Sequence, residues 1–339
     1  MKNWLFSEGF LIGDDIFFFP DFGRYLGKYS IADNRMSFPW EVGNLIKLSG
    51  DFDRYVVVGN KVCSLAVNGE NIIIINTETW NTQKIQITSN VNAWGNYAEA
   101  AAYEDKLFVF CRGMRKVIVY DVSSNAVCEE ELPLIVDKGV TIEGTTWLLS
   151  GDHTSLIKFN LSCLESDIIH IPNRIDSVSY ITAKGNDLYM LSSNGDIWYF
   201  DMQNSKEECI FKVSEDRSVG RLVVTDNSFI ELPSLGSEIY IIDKNSNNCK
   251  AYKSYPADFQ YIGDKGWSKY KGIIRYRNSY IIAPRSSNYL LFIDEKSGNI
   301  SWKKAVLPEP VDIMTHYLNY DGFVSEDMVG VNDFIKFVC

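Results

Sequence analysis

The sequence predicts an all-β chain folded as a single β-propeller of four-stranded blades. Three observations predict it. Turn dipeptides recur along the whole chain, a short polar residue follows each at a near-constant distance, and no segment of useful length has helical periodicity.

The dipeptides are Asp14-Asp15, Gly59-Asn60, Glu104-Asp105, Glu143-Gly144, Gly185-Asn186, Asp226-Asn227, Arg277-Asn278 and Asp321-Gly322. Residues of these types tolerate positive φ and favour two-residue hairpins. Strands rich in aromatic and branched residues follow, as in Ile16–Phe19, Leu107–Phe110, Leu188–Leu191 and Tyr280–Ala283. Each unit then reaches a polar anchor that closes a hydrophobic run: Ser30, Asn76, Asp121, Asn160, Asp201, Asp243 and Asp294. The distance from the second turn residue to the anchor is 15 or 16 in these seven units, and 17 to Cys339 in the eighth. From an anchor to the next turn the distance varies from 23 to 35. The constant part is a structural hairpin. The variable part holds one more strand, such as Val127–Leu132 or Ile300–Leu307, and a connector.

Each unit therefore supplies one strand before the dipeptide, two between it and the anchor, and one after. Four antiparallel strands in about 42 residues make a propeller blade. Eight units favour eight blades over seven. The eighth unit has no sequence for a fourth strand, so the spare segment Lys2–Phe6 is expected to complete it and close the ring. Residues 1–339 are then one domain.

Composition narrows the function. The 339 residues carry a net charge of -11, a field that repels phosphate backbones and argues against nucleic acid as partner. No apolar run approaches a membrane span or a cleavable leader, so the chain is expected to be cytoplasmic. The seven Cys are widely spaced without a Cys-x-x-Cys pair, which predicts buried free thiols rather than a zinc site or disulfides. Neither cofactor nor metal is expected.

The element Val117-Ile-Val-Tyr-Asp-Val-Ser-Ser-Asn125, repeated as Leu291-Phe-Ile-Asp-Glu-Lys-Ser-Gly-Asn299, resembles the blade ending of the kelch and galactose-oxidase-like propellers. The paired glycines of kelch blades are absent. The resemblance implies the propeller and, beyond it, a binding platform.

In an antiparallel blade the dipeptide turns lie at one end. The loops between second and third strands share the other end with the blade-to-blade connectors. Variable loops on a rigid frame are where binding diversifies. Arg112, Arg115 and Arg285 fall in those loops, and guanidinium groups there suit bidentate recognition of carboxylate or phosphate. The longest connector, Ser254–Lys271, adds Tyr261 and Trp267. Polar positions expected on first strands include Arg54, Glu99, Glu143, Arg221 and Arg275. The expected function is a non-catalytic module recognising a protein, peptide or carbohydrate partner. The alternative is a propeller lyase or hydrolase, for which His153 and His316 are the candidate bases, recognisable by a carboxylate within hydrogen-bond reach.

Overall fold

A computed structural model describes residues 6–20, 25–41, 52–66, 71–86, 97–171, 175, 177–213, 219–233, 238–259, 270–284 and 289–304. Its strands form seven four-stranded antiparallel sheets, each a meander. Blade one is β1 (Phe6–Ile12), β2 (Asp15–Pro20), β3 (Tyr25–Ser30) and β4 (Arg35–Glu41). Blade two is β5 (Phe52–Val58), β6 (Lys61–Ala66), β7 (Asn71–Asn76) and β8 (Thr82–Gln86). Blade three is β9 (Tyr97–Tyr103), β10 (Lys106–Cys111), β11 (Lys116–Asp121) and β12 (Val127–Glu131). Blade four is β13 (Val136–Ile142), β14 (Thr145–Ser150), β15 (Ser155–Asn160) and β16 (Ser166–His170). Blade five is β17 (Val178–Lys184), β18 (Asp187–Ser192), β19 (Ile197–Asp201) and β20 (Lys206–Phe211). Blade six is β21 (Val219–Val224), β22 (Ser228–Pro233), β23 (Ile239–Asp243) and β24 (Cys249–Tyr252). Blade seven is β25 (Tyr270–Tyr276), β26 (Ser279–Pro284), β27 (Tyr289–Asp294) and β28 (Ile300–Lys304).

The expected count of eight blades is corrected to seven. Every sheet draws its four strands from one continuous stretch of chain, so none needs a strand lent by another part of the sequence. Phe6 opens β1 and pairs with Pro20 of β2, which places it in the first strand of its own blade. Residues 2–5 and the turn Asp321-Gly322 lie outside the described residues.

Two repeated turns hold the blades at what we call the turn end. The dipeptides make the hairpin between first and second strands, except that blade one turns at Gly13-Asp14, one residue earlier than the pattern suggested. The first turn residue has positive φ in Gly13, Gly59, Glu104, Glu143, Gly185 and Arg277. The anchors make the second turn. Asn76 Oδ1 accepts from the N–H groups of Glu78 and Thr79 at 2.9 Å each. Asp121, Asp201 and Asp243 do the same for the residues two and three ahead. Such a side chain substitutes for the backbone of a turn, which is why only Asp, Asn or Ser occupies the position. The residue four beyond each anchor is left-handed in all seven blades: Asn34, Trp80, Asn125, Leu164, Ser205, Asn247 and Gly298. In blades one and three the buried Tyr29 and Tyr120 hydroxyls each donate to this residue's Oδ1 at 2.7 Å. The hydrophobic-Tyr-polar signature thus ties the third strand to its own turn. In blades one to six the residue after the anchor donates its N–H to the carbonyl of a dipeptide residue, as Val122 to Asp105 and Lys244 to Asn227, locking the two turns together.

The chain packs as two units: Asp53–Lys253 with Glu295–Gly298, and Met1–Phe52 with Ser254–Asp294 and Asn299–Cys339. In the first, apolar layers join successive blades. Leu65, Ile72 and Ile74 of blade two meet Leu107, Val109 and Ile118 of blade three. Phe110 of blade three meets Phe159 of blade four edge to face at 5.2 Å. Further layers join blade four to five and five to six. Each buried Leu, Ile or Phe contributes about 1.5–3 kcal/mol, so these layers supply most of the stabilisation. In the second unit Ile16, Tyr29 and Met36 of blade one pack on Ile281, Leu290 and Phe292 of blade seven. The fourth strand β12 is exposed along its length and carries Glu129, Glu130 and Glu131, charges that discourage edge pairing.

The thiols correct the expectation of uniform burial. Cys63 and Cys111 are buried, and burial pushes their thiols up to about 12 and about 11. Cys128 and Cys163 are exposed. Among the described residues no helix is long and apolar enough to cross a membrane.

Candidate functional site

At the connector end, opposite the turns, a bulge shapes the start of the first strand. In blades three to six one extra residue interrupts the pairing with the second strand: Ala98, Asp137, Ser179 and Gly220. A bulge re-aims the side chain it carries. Three of the four are small and uncharged, and the fourth is a carboxylate.

Asp137 is the centre of an ionic cluster. Its Oδ1 accepts from Arg112 Nε at 2.6 Å, and its Oδ2 from Lys138 Nζ at 3.0 Å and His153 Nε2 at 3.1 Å. Each donor is delivered by a different piece of backbone. Arg112 lies in the loop after β10, which clasps the start of blade four. Arg112 bridges to Val136, and Gly113 N–H donates to Val136 O at 2.7 Å. His153 lies in the loop between β14 and β15 with φ 59°, a left-handed conformation that is costly for a residue with a Cβ. Ser150 Oγ, which donates to Asp152 at 2.6 Å and accepts the N–H groups of Thr154 and Ser155, holds the loop in that shape. Lys138 follows the bulge directly.

Burial alone would raise the Asp137 carboxyl. The hydrogen bonds from His153 and Lys138 and the charge of Arg112 outweigh burial and hold it well below the usual carboxylate range. Lys138 is lowered, first by burial and then by the nearby charges of Arg112 and Arg221, against the pull of Asp137. Arg221, at the start of β21, stacks on Tyr180 at 5.1 Å and donates to Gly220 O at 3.0 Å.

The stoichiometry matters most. Arg112 and Lys138 bring two basic side chains to one anion, before His153 or Arg221 is counted. The Arg112 side chain is 44% exposed where Asp137 is only 15% exposed. Its Nε is spent on Asp137, and among the described residues its two terminal nitrogens take no protein acceptor. The guanidinium is thus fixed at one edge and open at the other. His153 differs, because Nδ1 faces Ile175 O at 3.0 Å while Nε2 faces Asp137. Both partners are acceptors, so both ring nitrogens are engaged.

The other residues singled out from the sequence divide. Arg115 turns back into its own blade, donating to Leu132 O at 3.0 Å and pairing with Glu131 at 3.1 Å. Arg285, Tyr261, Trp267 and His316 lie outside the described residues. Tyr255 and Phe259, earlier in the same connector, pack on Trp302 with ring centroids 5.5 and 5.0 Å away. Asp137 and Lys138 were not singled out. No local sequence signal marks Asp137: its equivalence to Ala98, Ser179 and Gly220 of the neighbouring blades comes from the strand pairing that makes the bulge.

No family model matches the chain, and no curated protein matches it. Solved structures do. A catalytically inactive variant of virginiamycin B lyase from Staphylococcus aureus, with quinupristin, is similar at 11% identity and a TM-score of 0.63, over 84% of this chain and 94% of that one. The Pan2 WD40 domain of Neurospora crassa is similar at 10% identity and a TM-score of 0.56, over 87% and 92%. BamB from Moraxella catarrhalis is similar at 12% identity and a TM-score of 0.54, over 89% and 87%. The fold is an all-β propeller of four-stranded blades, and such a fold carries both enzymes and scaffolds.

Proposed function

We propose that the protein is a non-catalytic binding module that recognises an acidic protein or peptide segment through the connector end of blades three and four. One observation carries this reading. Arg112 is anchored to Asp137 through Nε and offers its terminal nitrogens outward, with Lys138 beside it. A pre-oriented guanidinium loses little freedom when a carboxylate docks against it. In a chain of net charge -11 a local positive excess also gives the end a distinct address for acidic groups. On this reading the protein works in a reducing compartment, where the exposed Cys128 and Cys163 remain thiols. The test is fluorescence anisotropy of a labelled hexaglutamate peptide with the full chain. Saturable binding that weakens as salt rises from 50 to about 200 mM supports the reading. Absence of binding at low salt overturns it.

A second reading is favoured by one distance, the 3.1 Å between His153 Nε2 and Asp137 Oδ2, the feature expected of an acid-base pair. It makes the protein a propeller lyase or hydrolase. Against it stands the engagement of Nδ1 by Ile175 O, which leaves no ring nitrogen for a substrate. Quinupristin, the molecule present with the similar lyase, is a usable probe. Its consumption by the wild type, abolished in His153→Ala, would replace the binding reading with this one.

A further inference from the structure

The turn end of blade six places a lysine where four other blades place an apolar side chain. In blades one to six the residue after the anchor hydrogen-bonds to the dipeptide turn through its backbone, and in blades one, three, four and five its side chain enters the apolar layer shared with a neighbouring blade. Val122 and Leu161 are buried there, and Ile31 and Met202 pack against the same kind of layer. Blade six has Lys244 instead. Its backbone makes the repeated bond, to Asn227 O at 2.9 Å. Its ammonium lies over the Phe229 ring at 4.7 Å and the Tyr189 ring at 5.6 Å, and donates to Thr225 O at 2.6 Å. Among the described residues no carboxylate lies within ion-pair distance of it. The nearby charges are Lys184, Asp187 and Asp226, and Asp226 is occupied by Lys184. The rings are those of Tyr189, whose hydroxyl burial pushes up to about 12, and Phe229. A lysine amine in an apolar slot without a carboxylate partner is the environment that makes lysine a nucleophile.

We propose that Lys244 is an acyl-acceptor site: its amine, seated between the Phe229 and Tyr189 rings and partly open to solvent, takes an acyl group from an activated carboxyl donor, an acyl phosphate or a thioester. The neutral amine attacks the acyl carbonyl carbon and a C–N bond forms. The bond from that carbon to the phosphate oxygen or the thioester sulfur breaks, and phosphate or thiolate leaves with the electron pair. The proton lost from nitrogen goes to water. The product amide is uncharged, which suits a slot filled elsewhere by Val122 and Leu161. Burial first, then the charge of Lys184, bring the Lys244 ammonium down to about 8, so much of it is reactive amine at mildly alkaline pH.

The test treats the full chain with limiting acetyl phosphate at pH 8, and separately with a small acetyl thioester, and reads each lysine by peptide mass spectrometry. Lys244 is expected to be acetylated on the order of tenfold faster than the exposed Lys84 and Lys253. Its rate should level off above about pH 8. Preference with only one donor identifies the source. Lys184→Met, which leaves the amine in place, should reduce the preference. Equal rates at Lys244 and Lys84, or a preference that persists in 8 M urea, would overturn the proposal.

Discussion

The two ends of the same blades are built on different rules. At the turn end, one geometry is written seven times: a dipeptide hairpin, an Asp, Asn or Ser anchor, and a left-handed residue four positions later. At the connector end, a shared bulge leaves the side chain free to vary, and one blade uses that freedom to gather Arg112, Lys138 and His153 around Asp137. The difference teaches where each kind of change is tolerated. Local backbone hydrogen bonds dictate residue type at the turn end. At the other end the backbone is satisfied without the side chain, so chemistry can be added.

The strongest way to break this comparison is to remove the centre of the cluster. Asp137→Ala gives blade four the bulge residue of blade three, yet it strands two half-buried cations. It should destabilise the chain by about 2–3 kcal/mol in urea or thermal unfolding, because removing one partner of a buried ion pair leaves its charge uncompensated. A loss below roughly 0.5 kcal/mol would show that the cluster is no more than a solvated surface network.

At the turn end the reverse substitution should help. Lys244→Met restores the apolar residue that Met202 supplies in blade five, and should stabilise by about 1 kcal/mol at pH 7. The lowered ammonium fixes the sign with pH. The unfolded chain binds this proton more tightly than the folded one. Wild-type stability therefore rises between about pH 8 and the ordinary lysine range, and the advantage of Lys244→Met should shrink there. Thermal unfolding at pH 7 and pH 10 checks both parts.

How much of this was legible in the sequence follows from how local each feature is. Six dipeptides and seven anchors were readable because turn chemistry acts within a few residues; only Asp14-Asp15 was displaced, to Gly13-Asp14. The left-handed position was missed because Trp80 and Leu164 are not turn residues. The anchor side chain and an i+4 backbone bond, Leu164 N–H to Asn160 O at 2.9 Å, impose the conformation on them. The eighth unit was over-read. It rested on a spacing that ends at the last residue, although its run Phe323-Val-Ser-Glu-Asp-Met-Val329 carries two acids within the expected strand and makes it the least regular of the eight. Arg112 was placed at the connector end by the phase of the repeat alone. Its partner was not, since a bulge depends on pairing between strands and leaves no local signature in Val136-Asp137-Lys138.

Two smaller changes sharpen the turn-end rule. Leu164→Asn supplies the residue type found at Asn34, Asn125 and Asn247, and should stabilise by roughly 0.5–1 kcal/mol by easing a positive φ. Asp121→Asn should leave neutral-pH stability nearly unchanged, because Asn76 and Asn160 serve the same turn. In acid the two chains should part. Hydrogen bonds from the backbone and side chain of Ser124 hold Asp121 below its ordinary range, so its contribution is present above about pH 4 and lost as pH falls through the folded value. Acid titration of the folded fraction should show a shallower loss in Asp121→Asn.

The central claim is that the guanidinium anchored on Asp137, rather than positive charge in general, makes the connector end a recognition surface. The direct measurement compares hexaglutamate binding to the wild type, Arg112→Ala and Arg115→Ala at one low salt concentration. Both variants lose one charge from neighbouring positions of one loop, but Arg115 is already committed to Glu131 and Leu132 within its own blade. The account predicts at least a tenfold loss of affinity in Arg112→Ala, about 1.4 kcal/mol, and less than a twofold change in Arg115→Ala. Equal losses in the two variants, or none in either, would contradict it.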